Sequence, residues 1–152
     1  MNQPVHVYTA FIDAPTDTVW AAIVDGDTTL KYFYGTRVES TWEPGAEVLY
    51  RYPDGTKASE GEVIAIDPGR RLEMTFLPLW DPELTAEGPA REVWLVEDAG
   101  GVTKLTVETY DVPEGGRIHT DFAGGFPFII SGLKTLLETG KPLPVVGPGG
   151  AE

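Results

Sequence analysis

Arg117, His119 and Asp121 fall on neighbouring positions, and Glu62 lies in a β-patterned stretch far from them. A histidine near a carboxylate is the usual material of general acid–base catalysis, because it exchanges protons near neutral pH. His119, Asp121 and Glu62 are therefore the candidate acids and bases. His119 sits at the edge of a long apolar stripe, placed to face the mouth of whatever that stripe covers. The plainer role, a solvent-exposed or capping residue near a helix start, weighs more for each of them. Nothing in the chain forms a nucleophile–base–orienter triad or a phosphate loop, and there is no cysteine to act as nucleophile. The catalytic assignment stays open.

The elements that would position these residues can be read from periodicity. Ile118, Phe122, Phe126, Ile129, Leu133 and Leu136 recur at spacings of three and four, one face of a long helix. Ser131, Lys134, Thr135 and Glu138 fall on the other side. Burying six such side chains is worth on the order of 10 kcal/mol gross, at ~1.5–3 kcal/mol each. Such a helix must lie on a large apolar surface. The rest of the chain supplies one by strand patterning. "VHVYTAFIDA" (5–14) is β-rich and ends at Ala-Pro-Thr-Asp, where Pro15 suits a helix first turn. Val19, Trp20, Ile23 and Val24 mark a short helix, "DGDT" (25–28) interrupts it, and Thr28–Tyr34 predicts a second, closed by Gly35. Then "TRVESTW", "AEVLYRY", "ASEGEVIAID", "RRLEMTFL", "REVWLVED" and "VTKLTVETYD" follow as six strands, most of them separated by Gly- or Pro-containing turns. "LWDPELTAEGPA" reads as a longer loop. Strands in hairpin succession imply an antiparallel meander.

A strongly twisted antiparallel sheet cannot touch one long helix everywhere, so a gap opens unless large side chains fill it. Tyr50, Tyr52, Met74 and Phe76 from strands, and Phe122 and Phe126 from the helix, are expected to point there. Tyr32, Phe33, Tyr34, Trp42, Trp80 and Trp94 are further aromatic candidates, and His119 joins them at the mouth. For any one ring the simpler role is core packing. As a group, Tyr and Trp carry polar atoms that suit a partly wet cavity better than a dry core. Gly124, Gly125 and Pro127 weaken the helix in front of its apolar end, and the spacing predicts a bend or restart there.

Bulk properties narrow the function. Twenty-four acidic against eleven basic residues give a formal charge of −13 in 152 residues, which disfavours nucleic acid and anionic membrane surfaces. Two histidines without cysteine make a transition-metal site a poor fit, and no cofactor is expected. No secretory signal pattern or membrane-length apolar run is present, so a cytoplasmic protein is expected. One domain is expected over residues 1–143, with a flexible Pro- and Gly-rich tail over 144–152.

The order β-α-α-β6-α, with "APTDTVWAAI", "YRYPDGTKASEGEVIAIDPGRRLEMTF" and "GGFPFIISGLKTLLETGKPL", resembles the START-like (SRPBCC) superfamily. Within it, the similarity is to the branch of homologues of the activator of a heat-shock ATPase chaperone. The resemblance runs over roughly residues 5 to 143. Its most specific part is the C-terminal segment, where the family usually has Gly-Trp-Pro; Phe126 stands in the Trp place. The resemblance implies an α+β helix-grip fold, a curved antiparallel sheet of about seven strands around a long C-terminal helix, with a deep hydrophobic cavity between. Members bind lipids, hormones or aromatic small molecules, and some cyclise polyketides. The leading expectation is binding of a small hydrophobic or aromatic ligand. A cyclase or hydrolase acting on such a ligand comes second, and a chaperone-interacting stress protein third. The state expected is monomer or homodimer.

Overall fold

The computed structural model describes residues 3–144. Strand β1 (His6–Ile12) leads into two short helices, α1 (Thr16–Val24) and α2 (Gly26–Tyr32). Strands β2 (Arg37–Glu39), β3 (Glu47–Arg51), β4 (Lys57–Asp67) and β5 (Arg71–Pro78) follow. Helix α3 (Pro82–Glu87) precedes β6 (Ala90–Asp98), β7 (Thr103–Tyr110) and the final helix α4 (Arg117–Thr139). The strands form one antiparallel sheet in the order β1-β7-β6-β5-β4-β3-β2. Only β1 departs from sequence order, crossing to pair with β7 from His6–Thr109 to Ile12–Thr103. The fold is the expected α+β helix-grip, with the curved sheet wrapped on α4.

Curvature is set where the strands are irregular. The β3–β4 register shifts at Tyr50/Arg51, and the β4–β5 register shifts between Val63 and Ala65. Bulges of this kind bend a strand and increase its twist. Gly61 sits just before the second shift, and a Cβ there would lie 1.9 Å from the Thr75 carbonyl oxygen. Only glycine lets the two backbones approach so closely.

The predicted stripe of α4 is the inner face. Ile118 and Leu133 are completely buried, and Phe122, Phe126, Ile129 and Leu136 are buried with them. On β5 the alternation is equally regular, with Leu72, Met74 and Phe76 inside. These side chains share one core with Ile12, Val19, Ile23, Leu105 and Val107.

Four expectations need correction. The second helix begins at Gly26, two residues early, because the Asp25 side chain caps it by accepting from the Thr28 N–H at 3.0 Å. The strand in "TRVESTW" stops at Glu39, and Trp42 lies beyond it with a positive φ of 62°. The expected loop before β6 contains α3, started by Asp81, which accepts from the Glu83 N–H at 2.9 Å, with Pro82 in the first turn. Finally, α4 does not restart at Gly124–Pro127, and one helix runs from Arg117 to Thr139 with Pro127 inside it.

Helix α3 explains how α4 begins. Gly116, at its N-cap, has no side chain to offer the free N–H groups of the first turn. The Glu87 carboxylate does this instead, accepting from Arg117 N–H and Ile118 N–H, each at 2.9 Å. Arg117 in turn pairs with Asp81 at 2.8 Å and with Glu83. The C-terminal tail lies outside the described residues beyond Pro144. Among the described residues, no helix is long and apolar enough to cross a membrane.

Candidate functional site

Where α4 crosses the bent part of the sheet, rings meet and leave a narrow cleft. The sheet contributes Tyr50, Ala58, Ser59 and Phe76, with Tyr52 just past the end of β3. The turn after α2 contributes Phe33, Tyr34 and Thr36, and Trp80 closes the side near α3. Asp121, Phe122, Gly125, Phe126 and Ile129 form the roof. The space open to the centre of a water-sized sphere is about 30 Å³, room for about two waters.

The rings account for the narrowness. Phe33 stacks on Tyr50 with centroids 4.4 Å apart, and Phe122 lies 5.2 Å from Phe126. Phe76 meets Phe122 edge-on at 5.9 Å and Trp80 edge-on at 6.3 Å. These are favourable offset and edge-to-face geometries. The cluster is therefore well packed.

Polar atoms bracket the roof. Tyr8 stacks on Phe126 and donates its hydroxyl hydrogen bond to the Phe122 carbonyl at 3.0 Å. From the other side, Tyr34 donates to the Gly125 carbonyl at 3.0 Å. A Cβ at position 125 would stand 3.4 Å from that hydroxyl, about an ordinary contact distance. These two bonds pin the helix on both sides of the segment where Pro127 removes an amide donor. They explain how α4 stays continuous there despite its sequence. Burial raises the phenol pKa of both tyrosines, with Glu92 adding to the effect at Tyr8 and Asp121 at Tyr34.

Asp121 is the ionisable group on the cleft wall. Burial raises its carboxyl pKa, Arg117 opposes that, and Asp81 adds to the rise. A carboxyl so placed can accept or donate a proton at the mouth.

Of the candidate ligand-contacting residues, Phe33, Tyr50, Tyr52, Phe76, Trp80, Phe122 and Phe126 come together around the cleft. The others lie elsewhere. Tyr32 is buried between α1 and α2, donating to the Ala22 carbonyl at 2.9 Å. Trp42 donates from Nε1 to the Val24 carbonyl at 3.2 Å, tying its loop to α1. Met74 is core, and Trp94 lies one layer behind the lining, against Phe33 and Phe126. His119 points away to pack on His6, with ring centroids 4.6 Å apart, and its Nδ1 accepts from the Gly115 N–H at 2.6 Å. Glu62 is exposed on the outer face, paired across the strands with Glu47. Among the three acid–base candidates, only Asp121 touches the cleft. Among the described residues, no cluster of His, Asp or Glu is arranged to hold a metal ion.

One polar residue escaped the sequence reading. Glu92, on β6, is fully buried on the core side of the sheet. Both of its carboxyl oxygens are served by a single donor, Thr109 Oγ1, at 3.1 and 3.2 Å. Burial pushes its pKa well above the usual carboxylate range, with the Thr109 bond acting the other way. The available signal was its i, i+2 relation to Trp94, which puts both on one face.

Residues 13–138 match the model of the family described as "Activator of Hsp90 ATPase homolog 1-like protein". No curated protein matches the chain. Among solved structures, CalU16 from Micromonospora echinospora is similar with a TM-score of 0.76 at 18% identity, over 96% of this chain and 72% of that one. DynU16, from the dynemicin biosynthetic locus, gives a TM-score of 0.72 at 24% identity, over 90% of this chain. This chain spans only 48% of DynU16. The Aha1 dimer from Colwellia psychrerythraea gives 0.72 at 14% identity, over 89% of this chain and 96% of that one. At these identities the likeness establishes the shared fold.

Proposed function

The chain belongs to the family of activator of Hsp90 ATPase homolog 1-like proteins, and on that premise we propose that it binds a small hydrophobic or aromatic molecule between the sheet and α4. The observation that carries this reading is the cleft itself, walled by eight aromatic rings from four separate parts of the chain and open at Tyr34, Tyr52, Trp80 and Asp121. Concave aromatic sites with a few polar groups are the usual form of small-molecule pockets. A cleft with room for about two waters takes such a ligand only by moving rings aside. Phe122 and Phe126 are the rings to move, because they form the roof directly over the cleft.

Native mass spectrometry of the protein purified from its own host tests the reading. A stoichiometric adduct that disappears on denaturation is the expected result. A bare protein whose melting temperature is unmoved by a panel of naphthalene- and indole-sized compounds would overturn it.

A second reading, catalysis on the same ligand, rests on Asp121. Its carboxyl stands on the cleft wall with a raised pKa, as a proton donor or acceptor would. Turnover lost in Asp121→Asn with ligand affinity retained would support it. A ligand recovered chemically unchanged from the wild-type protein would exclude it.

A further inference from the structure

Two polar side chains of β6 are buried directly behind the cleft with too few partners. Among the described residues Glu92 has one neutral donor, Thr109 Oγ1, for two carboxyl oxygens. Trp94 is buried, and among the described residues its Nε1–H has no hydrogen-bond partner. Separated by two residues on one strand, they project from the same face. The Trp94 ring centroid lies 6.3 Å from that of Phe126 and 6.5 Å from that of Phe33, and both of those rings line the cleft. Across the sheet Trp94 stands opposite Val107 and Val107 opposite Tyr8, whose ring stacks on Phe126, and Glu92 stands opposite Thr109 in the adjoining row.

An apolar pair would pack this layer without leaving polar groups short of partners. Buried donors that lack acceptors are uncommon in native structures and call for an account. The two groups are also matched in kind. The indole nitrogen only donates, and full burial beside a neutral hydroxyl disfavours the Glu92 anion, so that in its neutral form the carboxyl has a proton to donate. Among the described residues the Trp94 indole lacks an acceptor, and Glu92 has only the Thr109 hydroxyl.

We propose that Glu92 and Trp94 are the inner, polar end of the ligand site and together take the carbonyl oxygen of an aromatic ketone or quinone. The ligand's rings enter where the Phe126 ring now stands, and the oxygen reaches the β6 layer behind it. This rests on the reading of the cleft as a ligand site and specifies the ligand class.

The test compares 1-tetralone with tetralin, which differ by the carbonyl. Titration calorimetry on the full chain is expected to give roughly tenfold tighter binding of the ketone, the worth of about one hydrogen bond to a buried donor. Glu92→Leu and Trp94→Phe should each bring the ratio towards one, and Glu92→Gln, which keeps a donor, should preserve most of it. In the wild-type protein, the Trp94 indole N–H resonance should move downfield with tetralone and not with tetralin, a readout that does not depend on any variant folding. Equal binding of the two compounds, or an unmoved indole resonance, overturns this inference and leaves the ligand site standing. Failure of both compounds to bind overturns the two together.

Discussion

The two halves of α4 lie on one sheet but bury different chemistry. From Ile130 to Leu136 the helix presents aliphatic side chains, with Leu133 completely enclosed and Gly132 set close against Tyr32 of α2. From Ile118 to Phe126 it presents mainly rings, in a region where Tyr8, Tyr34, Trp94 and Glu92 place polar atoms. The rear half is a dry joint that maximises burial. The front half is held by hydroxyl-to-carbonyl bonds and by ring-to-ring contacts. One helix thus combines an aliphatic anchor with an aromatic roof.

The largest expected effect separates the halves by stability. Leu133→Ala should cost about 2–5 kcal/mol in urea unfolding, because it leaves an enclosed cavity. Phe126→Leu should cost about 1–2 kcal/mol, since it removes fewer atoms and the site already borders free space. Equal losses would erase the distinction between anchor and roof.

Pro127 sharpens the same contrast. It deprives the Ala123 carbonyl of its usual i+4 amide donor, so Pro127→Ala should stabilise the protein by about 1–3 kcal/mol. The gain should appear as slower hydrogen exchange in the front half of α4. A loss of stability would show that the proline ring packs better than its backbone costs.

The anchor was legible in the sequence because helical spacing and apolar content agree from Ile118 to Leu136, and the strands were legible because polar and apolar residues alternate. The continuity of α4 was not, since local propensity at Gly124, Gly125 and Pro127 argues for a break. Tertiary bonds from Tyr8 and Tyr34, distant in sequence, decide otherwise. Helix α3 is six residues long, too short for periodicity, and only its Asp81-Pro82 start marks it. Rings on strands and on α4 mostly landed near the cleft, whereas Tyr32 and Trp42, in a short helix and a loop, had no facing rule and serve as ties between elements. Glu92 was missed because a charged residue in a strand ordinarily faces water.

A smaller effect concerns Glu92. Burial raises its pKa in the folded state, so its contribution is fully favourable below the unfolded value of 4.5 and is lost as pH rises through the folded value. Glu92→Gln should therefore raise the melting temperature at pH 7, by the equivalent of about 1 kcal/mol, and change it little at pH 4. A uniform shift at both pH values would mean that the carboxyl does not titrate as its burial requires.

The smallest effect is at the front end of the roof. Hydrogen bonds from the Ile118 and Arg117 amides hold the Glu87 carboxyl below its usual pKa. Its contribution is therefore present above the unfolded value of 4.5 and lost as pH falls through the folded one. In Glu87→Ala the Arg117 and Ile118 amides should exchange faster at neutral pH, and the difference from wild type should close in acid. Unchanged exchange would show that α4 starts without help from α3.

The most direct measurement is a nuclear Overhauser map of the wild-type protein with a bound aromatic probe such as 1-tetralone. Cross-peaks from the probe to the Ala58 and Ile129 methyls and to the Phe126 ring, saturating at one probe per chain, are the predicted result. Contacts confined to the exposed outer residues Val7, Phe11 and Ile64, or no saturable contacts at all, would contradict a ligand site beneath α4.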